Sequence, residues 1–142
     1  MKSHHAKFCD RETDHGPMPF CANILRTAKK NTHFRTAFWT GTHLQMTLMC
    51  IPVREDIGLE IHPDTDQYIR VEAGRAVVRM GSCERNLDRQ CVLQTGDAVF
   101  VPCGTWHNII NIGSCPLKLS SVYAPPHHPH GTVHHTKADA AE

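Results

Sequence analysis

The sequence predicts an all-β fold, an antiparallel sandwich or barrel, and three observations lead to this prediction. From Phe38 to Tyr123 the chain consists of short apolar or alternating runs that turn residues separate. No long stretch repeats its apolar residues with the period of an amphipathic helix. About seven short strands at this spacing are typical of β-sandwiches and barrels. One domain is expected from 142 residues, because a chain of this length buries roughly two-thirds of its unfolded surface.

The strand candidates are apolar or alternating runs bounded by Gly, Pro or Asp residues. In chain order they cover residues 44–49, 58–62, 67–72, 75–80, 98–101, 106–112 and 117–123. The polar residues 82–89 predict a hairpin or loop between two of these strands. Before the strands, residues 22–30 predict one short helix, although their amphipathic pattern is weak.

Composition divides the chain into three segments. Residues 1–34 form a polar leader, residues 35–123 contain the strands, and residues 124–142 form an extension rich in His and Pro. Pro125 and Pro126 predict that the extension leaves the barrel as an arm, which lies in solvent or on a neighbouring subunit. In the alternative, Tyr123 and four tail histidines fold over the barrel mouth. These histidines are His127, His128, His130 and His134.

Charge and hydropathy exclude several function classes. The chain has 15 Lys and Arg against 14 Asp and Glu, a formal net charge of +1, so neither a nucleic acid nor an acidic membrane is indicated as a partner. No run approaches the roughly 20 apolar residues that cross a bilayer. The charged N-terminal residues do not resemble a secretion signal. A cytoplasmic location is therefore expected.

Seven cysteines are scattered along the chain without a Cys-x-x-Cys pair. This spacing disfavours a disulfide framework and a zinc knuckle. We therefore expect reduced thiols that serve as small apolar residues. A hairpin would bring one pair, Cys83 and Cys91, face to face.

Four side chains are candidate metal ligands. Residues two apart in a strand share one face, so Glu60 and His62 both enter the barrel if this segment is extended. Gln67 begins the next strand candidate, and His107 follows a turn that contains Pro and Gly. A carboxylate, two imidazoles and an amide oxygen that converge inside a barrel form a divalent-metal site. The alternative is that Glu60 and His62 form a buried hydrogen-bonded pair and that His107 only ends a strand.

Two spaced motifs resemble those of the cupin family. The first is Glu60-x-His62-x4-Gln67-x6-Gly74, and the second is Gly96-x5-Pro102-x-Gly104-x2-His107-x3-Asn111. The second motif matches the family pattern at every fixed position. The chain is therefore similar to a small single-domain cupin, which implies a double-stranded β-helix, the jelly-roll barrel of RmlC-like proteins. This resemblance implies that a divalent metal is bound by Glu60, His62, Gln67 and His107.

The first motif departs from the family pattern at three positions. Glu60 stands where the first His is usual, Gln67 where Glu is usual, and Arg54 where the motif opens with Gly. One carboxylate and three neutral ligands still leave a divalent ion with one positive charge, so we expect the metal to bind. Two oxygen donors shift the preference toward Zn²⁺, Mn²⁺ or Fe²⁺.

The resemblance implies three alternative functions. The set of two His, one Glu and one Gln is similar to that of zinc-dependent phosphomannose isomerases, and residues 58–67 and 123–134 resemble a cupin subgroup described as mannose-6-phosphate isomerase-like. Glu60, His62 and His107 alone also form the two-His-one-carboxylate set of a non-haem iron dioxygenase. The third alternative is a metal-dependent ligand-binding cupin without turnover. No general acid or base is assigned.

The expected partners are a small-molecule substrate and a second copy of the chain. Edge strands in a small barrel favour a homodimer. No cluster of basic residues marks a phosphate site. If Gln67 points inward, alternation places Arg70 on the outer face. Four other cations remain as possible contacts for an anionic substrate, namely Arg35, Arg54, Arg79 and Lys118. The alternative is that each is an ordinary surface charge.

Overall fold

The computed structural model describes residues 13–140 of the chain. The helices are α1 (Ile24–Lys30) and α2 (Lys137–Ala140). The strands are β1 (Arg35–Thr40), β2 (Gln45–Ile51), β3 (Asp66–Ala73), β4 (Arg75–Gly81), β5 (Arg89–Gln94), β6 (Ala98–Val101), β7 (Trp106–Asn111), β8 (Leu117–Ala124) and β9 (Val133–His134). No helix of the described residues has the length and apolar character that crossing a bilayer requires.

Two antiparallel sheets face each other and form the barrel. The larger sheet has the order β6-β3-β8-β2-β1-β9, and the smaller has the order β5-β4-β7. This arrangement confirms the predicted all-β jelly roll. The predicted strand over residues 58–62 is wrong: this segment makes only an isolated bridge between Glu60 and His107. Gly58 has a φ of 91° and Pro63 lacks an N–H, so the segment does not continue as a strand.

The inner face of the larger sheet changes from apolar to polar along its strands. Residues directly opposite in an antiparallel pair share a face, so pairing defines rows that cross β2, β8 and β3. Successive rows are Met49, Leu119 and Val71, then Thr47, Ser121 and Ile69, then Gln45, Tyr123 and Gln67. All nine side chains are buried. The barrel therefore has an apolar end, which holds the core, and a polar end.

The leader residues that the structure describes pack against the outside of the larger sheet. Asn23 caps α1 by accepting a hydrogen bond from the Arg26 N–H at 2.9 Å, as is usual at a helix start. Ala28 of α1 is buried with Leu48 and Phe38 on the outer face of the sheet. The predicted short helix is confirmed within residues 22–30.

The C-terminal extension folds back over the barrel, so the predicted extended arm is wrong. β9 pairs with β1, where His134 lies opposite Arg35. The buried amide of Gln45 fixes the segment before β9: its Oε1 accepts hydrogen bonds from the His127 and His128 N–H groups, and its Nε2 donates to the His128 carbonyl. The extension thereby places His127 and His128 at the polar end of the barrel.

Asp14 joins three parts of the chain, and its removal is expected to destabilise the fold. Its buried carboxylate accepts hydrogen bonds from the Gly16 N–H, the Thr40 hydroxyl and the Gly131 N–H. Asp14→Ala leaves these donors without their partner, so we expect the free energy of unfolding in urea to fall by about 2 kcal/mol or more. Asp64→Ala, at an exposed position, is the control and should leave it unchanged. Equal effects of both substitutions would contradict the linking role of Asp14.

The cysteines are free, but they do not serve as small core residues. Six of the seven lie in the described part of the chain, and none of these forms a disulfide, Cys83 and Cys91 included. Five of the six are exposed and Cys50 is half-buried. The expectation of apolar packing is therefore wrong for these residues, because they lie in loops and on the outer faces of strands. Cys9 lies outside the described residues.

Candidate metal centre

Three predicted ligands converge at the polar end of the barrel. Glu60 Oε1 lies 3.3 Å from His62 Nε2 and 3.3 Å from His107 Nε2. The ligand atoms of the three residues all lie within 4.8 Å of one another. A carboxylate and two imidazoles at this separation form a site that a divalent cation fits.

Backbone contacts hold these side chains in place. The isolated bridge pairs the backbone of Glu60 with that of His107 through two hydrogen bonds of 3.0 and 2.9 Å. The turn before β7 is attached to the other ligand, since the Gly104 N–H donates to the His62 carbonyl at 2.8 Å. Gly104 has a φ of 76°, a conformation that glycine adopts without strain. The motif glycine therefore serves to place both histidines at one point.

The orientation of His107 leaves one nitrogen free for a metal. Its side chain is fully buried, and Nδ1 lies 3.0 Å from the Thr105 carbonyl oxygen. A carbonyl only accepts hydrogen bonds, so Nδ1 is the donor, and in the neutral imidazole the lone pair is then on Nε2. Nε2 is buried and makes no hydrogen bond with the described residues. Such an orphaned acceptor in a polar pocket fits a site for an ion.

The fourth predicted ligand, Gln67, lies on the inner face of β3. Its Nε2 donates a hydrogen bond of 2.8 Å to the Ser121 hydroxyl, which anchors the amide to β8. Its Oε1 is buried and has no hydrogen-bond partner among the described residues. Gln67 therefore offers an oxygen, the atom that a metal binds, into the polar end of the barrel.

Glu60 supplies negative charge to the centre. Burial alone would raise the pKa of this carboxyl, but its contacts with His107 and His62 outweigh burial and hold the pKa well below its usual range. The side chain of Glu60 is 26% exposed, whereas those of His62 and His107 are 6% and 0% exposed. The ionised carboxylate is thus the most exposed of the three converging side chains.

Sequence analysis missed several polar residues around the centre. Thr47 and Ser121 lie in the row next to that of Gln67, and alternation along 44–49 and 117–123 is the signal that identifies them. The ring of His127 lies 4.3 Å from that of His62, and the ring of Tyr123 lies 5.7 Å from it. Burial raises the pKa of the Tyr123 phenol; Arg35 opposes this shift and Glu60 reinforces it.

The neutral state of His128 makes stability depend on pH. Burial, reinforced by the positive charge of Arg35, lowers the pKa of His128 to about 3. The unfolded chain, in which the pKa is about 6.5, binds this proton more readily. The free energy of unfolding should therefore fall as the pH drops below 6.5, by up to about 2 kcal/mol between pH 7 and pH 5. Urea unfolding with a chelator present throughout measures this loss, and His128→Gln should remove most of it. An equal loss in His128→Gln would show that another group titrates.

Comparison with known proteins gives a consistent result. A family model described as Cupin domain matches residues 47–123. The protein of Bacillus subtilis (strain 168) described as uncharacterized protein YrkC is 58% identical over 127 residues, 89% of this chain and 68% of its own length. A second relative, uncharacterized protein L612 of Acanthamoeba polyphaga mimivirus, is 40% identical over 115 residues, 80% of this chain and 70% of its own.

A solved structure is also closely similar. The crystal structure of BH2720 from Bacillus halodurans is 59% identical and superimposes with a TM-score of 0.89. The match covers 90% of this chain and 97% of that one. The fold described above is therefore shared with an experimentally determined barrel.

Proposed function

Because the chain belongs to the cupin family, whose members share a barrel and not one reaction, we propose that it is a divalent-metal-dependent enzyme acting on a small oxygen-bearing molecule. The reaction we favour is that of a sugar or sugar-phosphate isomerase, within the subgroup described as mannose-6-phosphate isomerase-like. The observation that supports this most strongly is the convergence of Glu60, His62 and His107 within 4.8 Å. The orphaned Oε1 of Gln67 adds to it, because Gln67 lies opposite Tyr123, whose ring contacts that of His62.

The four ligands are suited to hold one ion firmly. An ion held by Glu60, His62, Gln67 and His107 would supply Lewis acidity, which lowers the energy of negative charge on a substrate oxygen. Thr105 and Ser121 hold the side chains of His107 and Gln67 in place by hydrogen bonds, so these side chains need little rearrangement on binding. Glu60 keeps its negative charge because both imidazoles contact it.

Tyr123 is suited to position the substrate and to hold a proton. It is buried between the ring of His62 and those of His127 and His128. A phenol is neutral near pH 7 even at its ordinary pKa, and burial raises the pKa of Tyr123 further, so it donates a hydrogen bond to a substrate oxygen beside the centre. Isomerisation moves a proton between neighbouring carbons, and a neutral donor at this point stabilises the oxygen on which charge develops.

A second candidate function is that of a non-haem iron dioxygenase. It is favoured by the fact that Glu60, His62 and His107 alone form a two-His-one-carboxylate set, with Gln67 as a displaceable fourth ligand. A cytoplasmic location and a homodimer stay predictions under either function.

Metal analysis combined with two activity assays tests the proposal. Protein purified without a His tag is analysed for bound metal, then assayed on a panel of aldose–ketose pairs and for oxygen consumption with enol and diketone candidates. We expect isomerisation that a chelator abolishes and added Zn²⁺ or Mn²⁺ restores. Oxygen consumption coupled to product, with no isomerisation across the panel, would replace the isomerase by the dioxygenase. Ligand binding without either activity would indicate a binding protein.

A further inference from the structure

A guanidinium group is buried inside the barrel without a carboxylate partner. Arg35 lies opposite Met49 in the pairing of β1 with β2, so its side chain enters from the same face as the core. It is only 5% exposed, and no carboxylate of residues 13–140 lies within 4.0 Å of its nitrogens. Burying a charge is costly unless a partner compensates it. The fold therefore keeps a positive charge that the described residues do not neutralise.

The contacts of Arg35 leave one edge of the guanidinium free. Nη1 donates to His134 Nδ1 at 3.2 Å, and the carbon Cζ lies 5.3 Å from the centre of the Phe34 ring. Nε, by contrast, is buried and has no hydrogen-bond partner within residues 13–140. Nε and Nη2 present two parallel N–H groups, the geometry that binds two oxygen atoms of a carboxylate or phosphate. His134 thus orients the guanidinium and leaves its anion-binding edge unused.

Another buried polar atom near Arg35 also lacks a partner. Among the described residues His128 Nε2 has no hydrogen bond, and the His128 ring lies 6.3 Å from that of His134, which the guanidinium contacts. The His128 ring in turn lies 5.2 Å from the ring of Tyr123, which lies 5.7 Å from that of His62, so the guanidinium and the candidate metal centre are parts of one polar region. Buried polar groups are nearly always satisfied in native proteins. Together, Arg35 Nε and His128 Nε2 indicate a polar ligand that pairs with both.

The charge of Arg35 favours an anion. No carboxylate of the described residues pairs with the guanidinium, so its positive charge is left for a ligand to balance. An anionic ligand balances this charge with or without a bound metal, whereas a neutral ligand does not.

We infer that Arg35 is the anion-recognition residue of this barrel and that the substrate is an oxyanion, a small organic acid or a phosphate ester. The carboxylate or phosphate binds the Nε edge of Arg35, and an oxygen elsewhere in the same molecule faces Glu60, His62 and His107. The second half of this statement rests on the proposed function, whereas anion binding by Arg35 does not.

Anion binding by the chelator-treated protein tests the inference separately from metal chemistry. Malonate and inorganic phosphate serve as the probes, and titration calorimetry measures each dissociation constant at low salt. We expect at least one probe to bind and Arg35→Gln to weaken it by about 10-fold to 100-fold. Arg79→Gln, which removes an exposed cation, is the matched control and should bind as the wild type does. Tighter binding of malonate assigns an organic acid, and tighter binding of phosphate assigns a phosphate ester.

Stability provides a readout that separates recognition from a structural role. In anion-free buffer Arg35→Gln should unfold at the same or a higher urea concentration than the wild type, because it removes an uncompensated buried charge. Saturating anion should then stabilise the wild type and not the variant. If Arg35→Gln does not fold, Arg35→Lys keeps the charge but not the two parallel N–H groups, and we expect it to bind the probes at least about 10-fold more weakly.

Two results would overturn the inference: a wild type that binds neither probe, or an Arg35 variant that binds both as the wild type does. These results are distinguishable from failure of the proposed function. If the protein takes up no metal but binds anions through Arg35, the anion site is supported and the proposed metal enzyme is rejected. If Arg35→Gln leaves metal-dependent turnover unchanged, the proposed enzyme is supported and the role of Arg35 is rejected.

Discussion

Replacing His107 with Ala should abolish metal binding and leave the barrel folded. His107 is fully buried, and its Nε2 is the orphaned nitrogen that faces Glu60. Its loss removes one of two imidazole ligands, so we expect the affinity for Zn²⁺ or Mn²⁺ to fall by more than about 100-fold, beyond the effect of removing an outer hydrogen bond. The fold should survive because the apolar core, with Val78 and Ile109 at its centre, does not include His107.

Metal content and circular dichroism measure the two halves of this prediction. His43→Ala is the control, because His43 is an exposed histidine of the β1–β2 connection. It should retain both metal and fold. A His107→Ala protein with wild-type metal content would show that metal binds elsewhere, for example on the tail histidines.

Gln67→Glu should raise or preserve metal affinity while lowering isomerase turnover by about 10-fold or more. The new carboxylate adds a negative charge where the orphaned amide oxygen now lies. An anionic transition state is then stabilised less, because one more negative charge lies beside it. The Ser121 hydroxyl, which now accepts from Gln67, can rotate to donate to the carboxylate, so packing should be preserved.

The same substitution distinguishes the two candidate reactions. In an oxygenase it restores the carboxylate that is usual in the cupin motif, so oxygen-dependent turnover should survive. Gln90→Glu makes the same change of charge at an exposed position of β5 and should leave both metal content and turnover unchanged. Isomerase turnover of Gln67→Glu at the wild-type level would contradict a role for the neutral amide.

The convergence of three candidate ligands followed from sequence because motif spacing and strand alternation both constrain it. Glu60 and His62 share a face even though residues 58–62 form a bridge and not a strand, since the backbone is extended at the point where Glu60 pairs with His107. Gln67 was expected to point inward from its place at the start of a strand and from the motif resemblance, and β3 places it on the inner face. The hydrogen bond that anchors its amide comes from Ser121, 54 residues away, and no local pattern predicts it.

The extension and the buried cation could not be predicted because contacts distant in sequence decide both. Pro125 and Pro126 favour an extended backbone, but Gln45 and Asp14 attach the segment after them to the barrel. Arg35 was one of four equivalent cations in the sequence. Only the pairing of β1 with β2 and β9 shows that its side chain points inward. There the free edge of the guanidinium can bind an anion.

Anomalous X-ray diffraction from a crystal of tag-free protein loaded with Zn²⁺ or Mn²⁺ tests the central claim most directly. We predict one strong anomalous peak inside the barrel, bonded to Glu60, His62 and His107, with the Gln67 Oε1 as fourth protein ligand. A peak confined to the tail histidines, or none within reach of His62 and His107, would contradict the metal centre and with it the proposed enzyme.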